Sequence, residues 1–283
     1  MSSETTGTVA VVIPAWRAER WIAGALDTVA AQVHPATEVL VVPDGDTGPL
    51  LKTVAAWQAA NAGLPVRVVT SDENRGVAVA RNLGVAATTT PWVAFLDADD
   101  RWTPDHLQRA MAVAARGADL IAGGIQITDE NGHPRAEPPE CLHLPGDRRE
   151  LAETLFRCRS ILCTSTVTVR REAFDQVGGF DPELAYGEDA DLWLRFAGAG
   201  MRFATTGAVT CRYRKHPGSA MAQTHRVLEG TARFQTKHLD NPDLPPGLAR
   251  RCLRRTLWAA FRIHRRNRPD LARTALLRWL RGR

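Results

Sequence analysis

Four short apolar runs, each followed by a longer amphipathic stretch, fill the first hundred residues. They are TVAVVI (8–13), EVLVV (38–42), VRVVT (66–70) and WVAFL (92–96). Runs of this length, rich in β-branched residues, read as strands buried on both faces. Between them, segment 18–32 sets Trp21, Ile22, Ala25, Leu26 and Val29 at helical spacing, and segments 49–62 and 76–87 also read as helices. A chain that alternates in this way makes a mostly parallel sheet, since a parallel neighbour is reached only through a crossover. The expected fold class is therefore α/β, with helices on both faces. In such sheets ligands bind beyond the carboxyl ends of the strands. Pro14, Asp44 and Asp97 lie at three of those ends.

Beyond Pro104 the pattern becomes mixed. Helices are expected at 105–115, 148–157 and 189–200, and strands at 120–128, 165–169 and 206–214. DENG (129–132) and GGFDP (178–182) are turn signals, and the Pro-rich stretch 133–147 reads as a loop. From about Arg226 the chain is helical and basic, with a boundary expected between residues 223 and 246.

The 283 residues are 44% hydrophobic and 24% charged, ordinary for a globular chain of one large α/β domain with an appendage. A net charge of +5 suits an anionic substrate and does not by itself imply a nucleic-acid partner. The five cysteines are odd in number and lack CxxC spacing, which points to reduced thiols rather than a disulfide framework or a zinc site. The N-terminal MSSETTG does not resemble a signal peptide, and no apolar run approaches the roughly 18 residues of a membrane span. The expected location is cytoplasmic.

The strand ends carry the chemistry. FLDADDRWTP (95–104) packs three carboxylates into four positions directly after the fourth strand. Asp97 and Asp99 repel each other unless something positive sits between them. A solvated turn before the next helix is one reading. The other is a divalent cation, because alternate residues of an extended segment share a face and both carboxylates can meet one hard ion and a diphosphate. At the first strand end, IPAWRAER has no GxGxxG and the chain has no P-loop, which argues against hydride transfer and P-loop chemistry. Trp16 can stack on a base and Glu19 can accept from a ribose hydroxyl, or they can simply pack and cap. In VVPDGDTG, Asp44 and Asp46 are turn formers or ligands. In ENRGVAVARNLG, Gly76 opens a helix whose N-terminus can face a phosphate, and Arg81 can reach the same group or lie in solvent.

Seven segments, in order, resemble the family 2 glycosyltransferases of the GT-A fold. They are VVIPAWRAERWIAGALDTVAAQ, EVLVVPDGDTG, ENRGVAVARNLGVAAT, WVAFLDADDRWTPDHL, REAFDQVGGFDPEL, GEDADLWLRFAGAG and YRKHPGSAM, within residues 8–221. The resemblance implies a GT-A type, Rossmann-like sheet and transfer of a sugar from a nucleotide diphosphate sugar, most often UDP-linked, to an acceptor hydroxyl with inversion. By the same resemblance, Pro14, Ala15, Trp16, Glu19 and Asp44 hold the nucleoside, and Arg75, Gly76 and Arg81 lie toward the diphosphate. Asp97, Ala98 and Asp99 form the metal and diphosphate motif, with Mn2+ or Mg2+ as cofactor. His216 closes over the metal or the diphosphate, and Asp189 is the general base with Glu188 beside it. The implied layout is a catalytic domain over 1–225, with a nucleotide-sugar half to about 104 and an acceptor half after it. A basic helical extension covers 226–283. Two departures fall at the nucleoside end. Pro43 stands where a first acidic residue is usual, and Trp16-Arg17 replaces an aromatic–Asn pair.

A non-catalytic nucleotide-sugar-binding protein and a nucleotidyltransferase are the rival readings. The acceptor is open among small molecules, natural products and cell-envelope precursors, and a homodimer is left open. The arginine-rich C-terminal helices either pack on the domain or lie on an anionic membrane surface, and packing is favoured. No nucleic-acid motif is present.

Overall fold

The computed structural model describes residues 7–45, 48–70, 73–157, 161–219, 224–265 and 268–281. Asp46, Cys158, and Ala220 and Met221 of the last matching segment lie outside the described residues, as does the side chain of Trp279. The first half runs in the expected order: β1 (Val9–Ala15), α1 (Ile22–Ala30), β2 (Glu38–Pro43), α2 (Gly48–Ala60), β3 (Val66–Val68), α3 (Val77–Ala86) and β4 (Trp92–Phe95). The second half adds β5 (Arg101–Trp102), α4 (His106–Ala114), β6 (Leu120–Thr128), α5 (Arg148–Arg157), a 3-10 turn (Thr164–Thr166), β7 (Thr168–Arg170), α6 (Arg171–Gln176), α7 (Glu188–Gly198) and β8 (Phe203–Arg214). Three helices follow: α8 (Thr224–Lys237), α9 (Leu248–His264) and α10 (Pro269–Arg281).

The eight strands among the described residues form one sheet, ordered β3-β2-β1-β4-β7-β6-β8-β5. β1, β2, β3 and β4 are mutually parallel, β6 is parallel to β8, and β7 runs antiparallel to both β4 and β6. The alternation of side chains along each strand builds two cores. Val9, Val11 and Ile13 of β1, with Val39 and Val41 of β2, pack under α1, α2 and α4. Val12, Leu40 and Val42 point the other way, under α3, α5 and α7. A slip of one residue would exchange the two sets, so the pattern holds the register. Gly84 lets α3 sit close on the sheet, where a Cβ would lie 2.4 Å from Val12.

Three local expectations change. Pro14 does not end the first strand, which continues to Ala15 opposite Pro43. The Val12 carbonyl accepts from Leu96 on the β4 side, so Pro14, two residues on, turns its missing donor to the same side. The β1–β4 ladder has already ended at Val12, and no bond is lost there. The expected strand 165–169 divides into the 3-10 turn and β7. β5 and α6 were not anticipated, since two and six residues are too short for periodicity to register.

α8 and the start of α9 belong to the same core as α7. Phe234, Leu248 and Ala249 join Trp193 and Phe156 there, and the Phe156 and Phe234 rings lie 5.2 Å apart. A buried charge cluster joins the two helices. The fully buried Asp191 accepts from Arg195 at 2.8 Å and His238 at 2.9 Å, and pairs with Lys237 at 2.8 Å. Arg195 in turn donates to the carbonyls of Val177 and Gly179, pinning the GGFD turn. Burial opposes ionisation of Asp191, but these three partners outweigh it and lower its carboxyl to about 2. The folded value is depressed, so the stabilisation is present above the unfolded pKa near 4 and is lost as pH falls toward 2. Its size is on the order of 2 kcal/mol. Melting temperatures between pH 2 and 6 should therefore fall less steeply in Asp191→Asn than in the parent. Parallel curves would exclude this cluster as a source of acid lability.

Candidate active site

The chain leaves β1 toward β2 and returns to β4 on its other side. Such a reversal opens a crevice at the carboxyl edge of the sheet. Asp97, two residues past the end of β4, stands on this edge beside the last residues of β1.

Asp97 is held from two directions. Its backbone N–H donates to the Ser165 hydroxyl at 3.1 Å, and its carboxylate takes one Arg81 Nη donor at 2.7 Å. The other Nη of Arg81 goes to Glu188 at 2.9 Å. Arg81, only 3% exposed, thus ties the end of β4 to the first turn of α7. Helix spacing explains its reach. Arg81 follows Val77 by four positions on α3, and α3 is seated on β1 and β2. The carboxylates at 97 and 188 hold its guanidinium in the charged form against burial. Burial, and then the neighbouring charge of Asp189, push the Glu188 carboxyl up to about 7 even with Arg81 in contact.

Asp99 faces the other side. Its carboxylate meets His216 Nε2 at 2.9 Å, and the His216 ring packs against Trp21 with centroids 4.2 Å apart. Burial and the charge of Asp97 raise the Asp99 carboxyl above its usual range. Asp100, 1% exposed, takes no part in the open edge. It accepts from the Ser165 hydroxyl at 2.5 Å and from the Arg214 N–H at 2.8 Å. Arg214 also donates to the carbonyls of Asp99 at 2.7 Å and Glu130 at 2.7 Å. This buried clamp sets the direction of the Asp97–Asp99 segment and joins it to the strand that leads into His216.

Asp189 sits in the first turn of α7, half-buried, next to the 3-10 turn that supports Asp97. It accepts from the Thr164 hydroxyl at 3.4 Å and from the Ala190 N–H at 2.7 Å. The helix begins one residue earlier than expected, at Glu188, and its cap is Gly187 at φ 80°. The left-handed cap is open to glycine without strain. Asp189 is therefore inside the helix and does not cap it.

The nucleoside side is arranged differently. The Asp44 carboxylate, 7% exposed, accepts from the N–H of Arg75 at 2.7 Å and of Gly76 at 3.0 Å. It thus occupies the N-terminal side of α3, where a phosphate was expected, though a carboxylate has about four acceptor positions and keeps some free. Pro14 and Ala15 are buried in the strand; Trp16 and Glu19 are exposed beyond it, and Arg75 is exposed beside Gly76. Arg17 has φ 50° and lays its guanidinium 4.7 Å from the Trp16 ring. Asn tolerates that left-handed backbone better than Arg, which gives a physical basis for the aromatic–Asn pairing expected there.

The predicted residues thus fall into three groups: Asp97–Arg81–Glu188 with Asp189 adjacent, Asp99–His216, and Asp44–Arg75–Gly76. Ala98 is buried between the two motif carboxylates. Ser165, Thr164, Asp100 and Trp21 were missed as supports. Only the third carboxylate of FLDADD hinted at one of them.

Among the described residues no three His, Cys, Asp or Glu side chains converge closely enough to enclose an ion. The donor set still fits a hard cation. Mg2+ and its like are held by one or two carboxylates while substrate phosphates and water complete the shell. Asp99, whose ionised form is disfavoured by burial and then by Asp97, is a carboxylate that gains from an added positive charge.

The chain is similar to several known proteins. It is 29% identical over 211 residues to the amylovoran biosynthesis glycosyltransferase AmsB of Erwinia amylovora, covering 72% of this chain and 68% of that protein. S. aureus TarS 1–349, in a structure with UDP-GlcNAc, has the same fold at a TM-score of 0.67 and 22% identity, over 97% of this chain and 81% of that one. The mannosyltransferase PcManGT of Pyrobaculum calidifontis, in a structure with GDP-Man and Mn2+, matches at a TM-score of 0.64 and 20% identity, over 95% of this chain and 79% of that one. The family model for glycosyl transferase family 2 matches residues 10–178, a span from β1 through α6 that contains Asp44, Arg81, Asp97 and Asp99. On that match the chain belongs to glycosyltransferase family 2 and is a transferase enzyme.

Proposed function

We propose that this enzyme transfers a sugar from a nucleotide diphosphate sugar to an acceptor hydroxyl, with inversion, a divalent cation and Asp189 as general base. The observation that supports it best is the Arg81 bridge, which holds the Asp97 end of the motif against Glu188, the neighbour of Asp189 and 107 positions from Arg81 along the chain. Structural neighbours hold UDP-GlcNAc in one case and GDP-Man with Mn2+ in another, which supports a nucleotide-sugar donor and a metal. The preference for a UDP-linked donor rests on the sequence resemblance. Asp97 and Asp99 would hold the cation, which neutralises charge developing on the departing diphosphate. His216 would orient Asp99. Asp189 is the more accessible of the two adjacent carboxylates, so it would take the proton from the acceptor hydroxyl as that oxygen attacks. Pro14, Ala15, Trp16, Glu19 and Asp44 would border the nucleoside, with Arg75 and Gly76 toward the diphosphate. Residues 1–225 would carry the catalysis.

Donor binding followed by titration calorimetry with and without Mn2+ tests the metal assignment. Asp99→Asn should lower metal-dependent affinity by roughly 10–100-fold while the fold persists. Unchanged affinity with the metal present would remove Asp99 from the metal site. Product analysis separates glycosyl transfer, which releases nucleoside diphosphate, from nucleotidyl transfer, which releases pyrophosphate.

A further inference from the structure

We propose that the α9–α10 helices form a docking surface for an anionic lipid bilayer, a property independent of the transfer chemistry. The charge of the chain is sharply segregated. Residues 248–283 hold twelve arginines against the single acid Asp270, a surplus of eleven. The whole chain carries only +5, so residues 1–247 are net −6. A diffuse surface excess would not divide in this way.

The structure arranges these charges on a face. Along α9 and its C-terminal cap the exposed residues Arg251, Arg255, Trp258, Arg262 and Arg265 recur at intervals of four, three, four and three, which sets them in one stripe. Leu257 and His264 are buried away from that stripe, so the helix does pack on the protein as favoured from sequence. Packing thus leaves the arginines outward. Among the described residues, Arg255, Arg262, Arg265 and Arg273 pair with no carboxylate, while Arg250 reaches Asp240 at 3.8 Å and Arg268 reaches Asp270 at 3.5 Å. Of the five exposed large apolar side chains among the described residues, three lie here: Trp258 at 44%, Ile263 at 49% and Leu277 at 44%. Cationic side chains interleaved with an aromatic and aliphatic residues on a helix are the chemistry of a bilayer interface, where arginines meet lipid phosphates and Trp enters the headgroup level. No described helix is long and apolar enough to cross a membrane, so the contact is a surface one.

The test is flotation of the full chain with vesicles of phosphatidylcholine alone and with about one-third phosphatidylglycerol, at low and high salt. Binding is expected only to the anionic vesicles and should weaken with salt. The variant Arg255→Gln/Arg262→Gln/Arg265→Gln should keep its melting temperature, because these exposed arginines pair with no carboxylate, and should partition roughly 100-fold less well. Trp258→Ala should weaken binding in the salt-resistant part. Equal binding to neutral vesicles, or an unchanged partition of the triple variant, overturns the proposal. So does vesicle binding at background level while the chain retains a single-stranded RNA probe, which would make the face a nucleic-acid surface.

Discussion

Arg81→Met should destabilise this enzyme by about 3–5 kcal/mol, a fall of roughly 10 °C in melting temperature. One guanidinium serves two carboxylates, Asp97 at 2.7 Å and Glu188 at 2.9 Å, and its side chain is 4% exposed. Methionine fills much of the volume and supplies no charge, so the loss is electrostatic rather than a cavity. Glu188 is left buried beside Asp189 without its counterion. The penalty should depend on pH, and its sign follows from the raised carboxyl. Glu188 binds its proton more tightly folded than unfolded, up to about 7 against an ordinary value near 4.5. Its ionisation therefore costs stability as pH rises between those values, and removing Arg81 moves the folded value higher still. The Arg81→Met deficit should accordingly be larger at pH 8 than at pH 5. Glu188→Gln in the same background should recover part of it. Urea unfolding of the four proteins of this cycle at both pH values decides the matter. Equal deficits at pH 5 and 8 would mean that Arg81 matters for packing and not as a bridge.

Asp189→Asn should leave a folded protein that binds donor and transfers sugar roughly 10²–10⁴-fold more slowly. Asparagine keeps the size of the side chain and its acceptor oxygen for the Ala190 N–H, but is a very poor base. A capping carboxylate would show the opposite profile, with stability lost and turnover kept. The cap here is Gly187, so little stability should be at stake. The neighbouring Glu188→Gln is the control. Glu188 is nearly buried and bound to Arg81, which suits a structural role better than contact with an acceptor. Single-turnover rates, with donor affinity measured separately, distinguish the cases. Normal turnover in Asp189→Asn with a dead Glu188→Gln would transfer the role to Glu188. Full turnover in both would place the base elsewhere.

Much of this organisation was legible in the chain before folding. Strand and helix periodicities are local, and β1 through β4 with the helices between them follow the apolar spacing to within a few residues. The positions of Asp44 and Asp97 at strand ends needed only that order. Ends and short pieces were less legible. Pro14 reads as a terminator until the β1–β4 ladder is seen to stop before it. β5 exists only because β8 is there to pair with it.

The roles of individual charges were not legible. Arg81 reads as a phosphate ligand or a solvated helical arginine, and it is neither free nor solvated, because α7 brings Glu188 to it from 107 positions away. Asp44 reads as a ligand at an open strand end, and its carboxylate also closes the loop before α3. Asp100 reads as one more acid in a cluster, and Ser165 and the Arg214 backbone bury it as a clamp. The sequence by itself determined the parallel α/β order, the carboxyl-edge placement of the acids and the basic character of the last helices. Only the tertiary structure decided which acids face the crevice and which are paired inside. Periodicity is a property of neighbours along the chain, whereas the state of a charge depends on the partners and the water around it, and folding brings those together from distant segments.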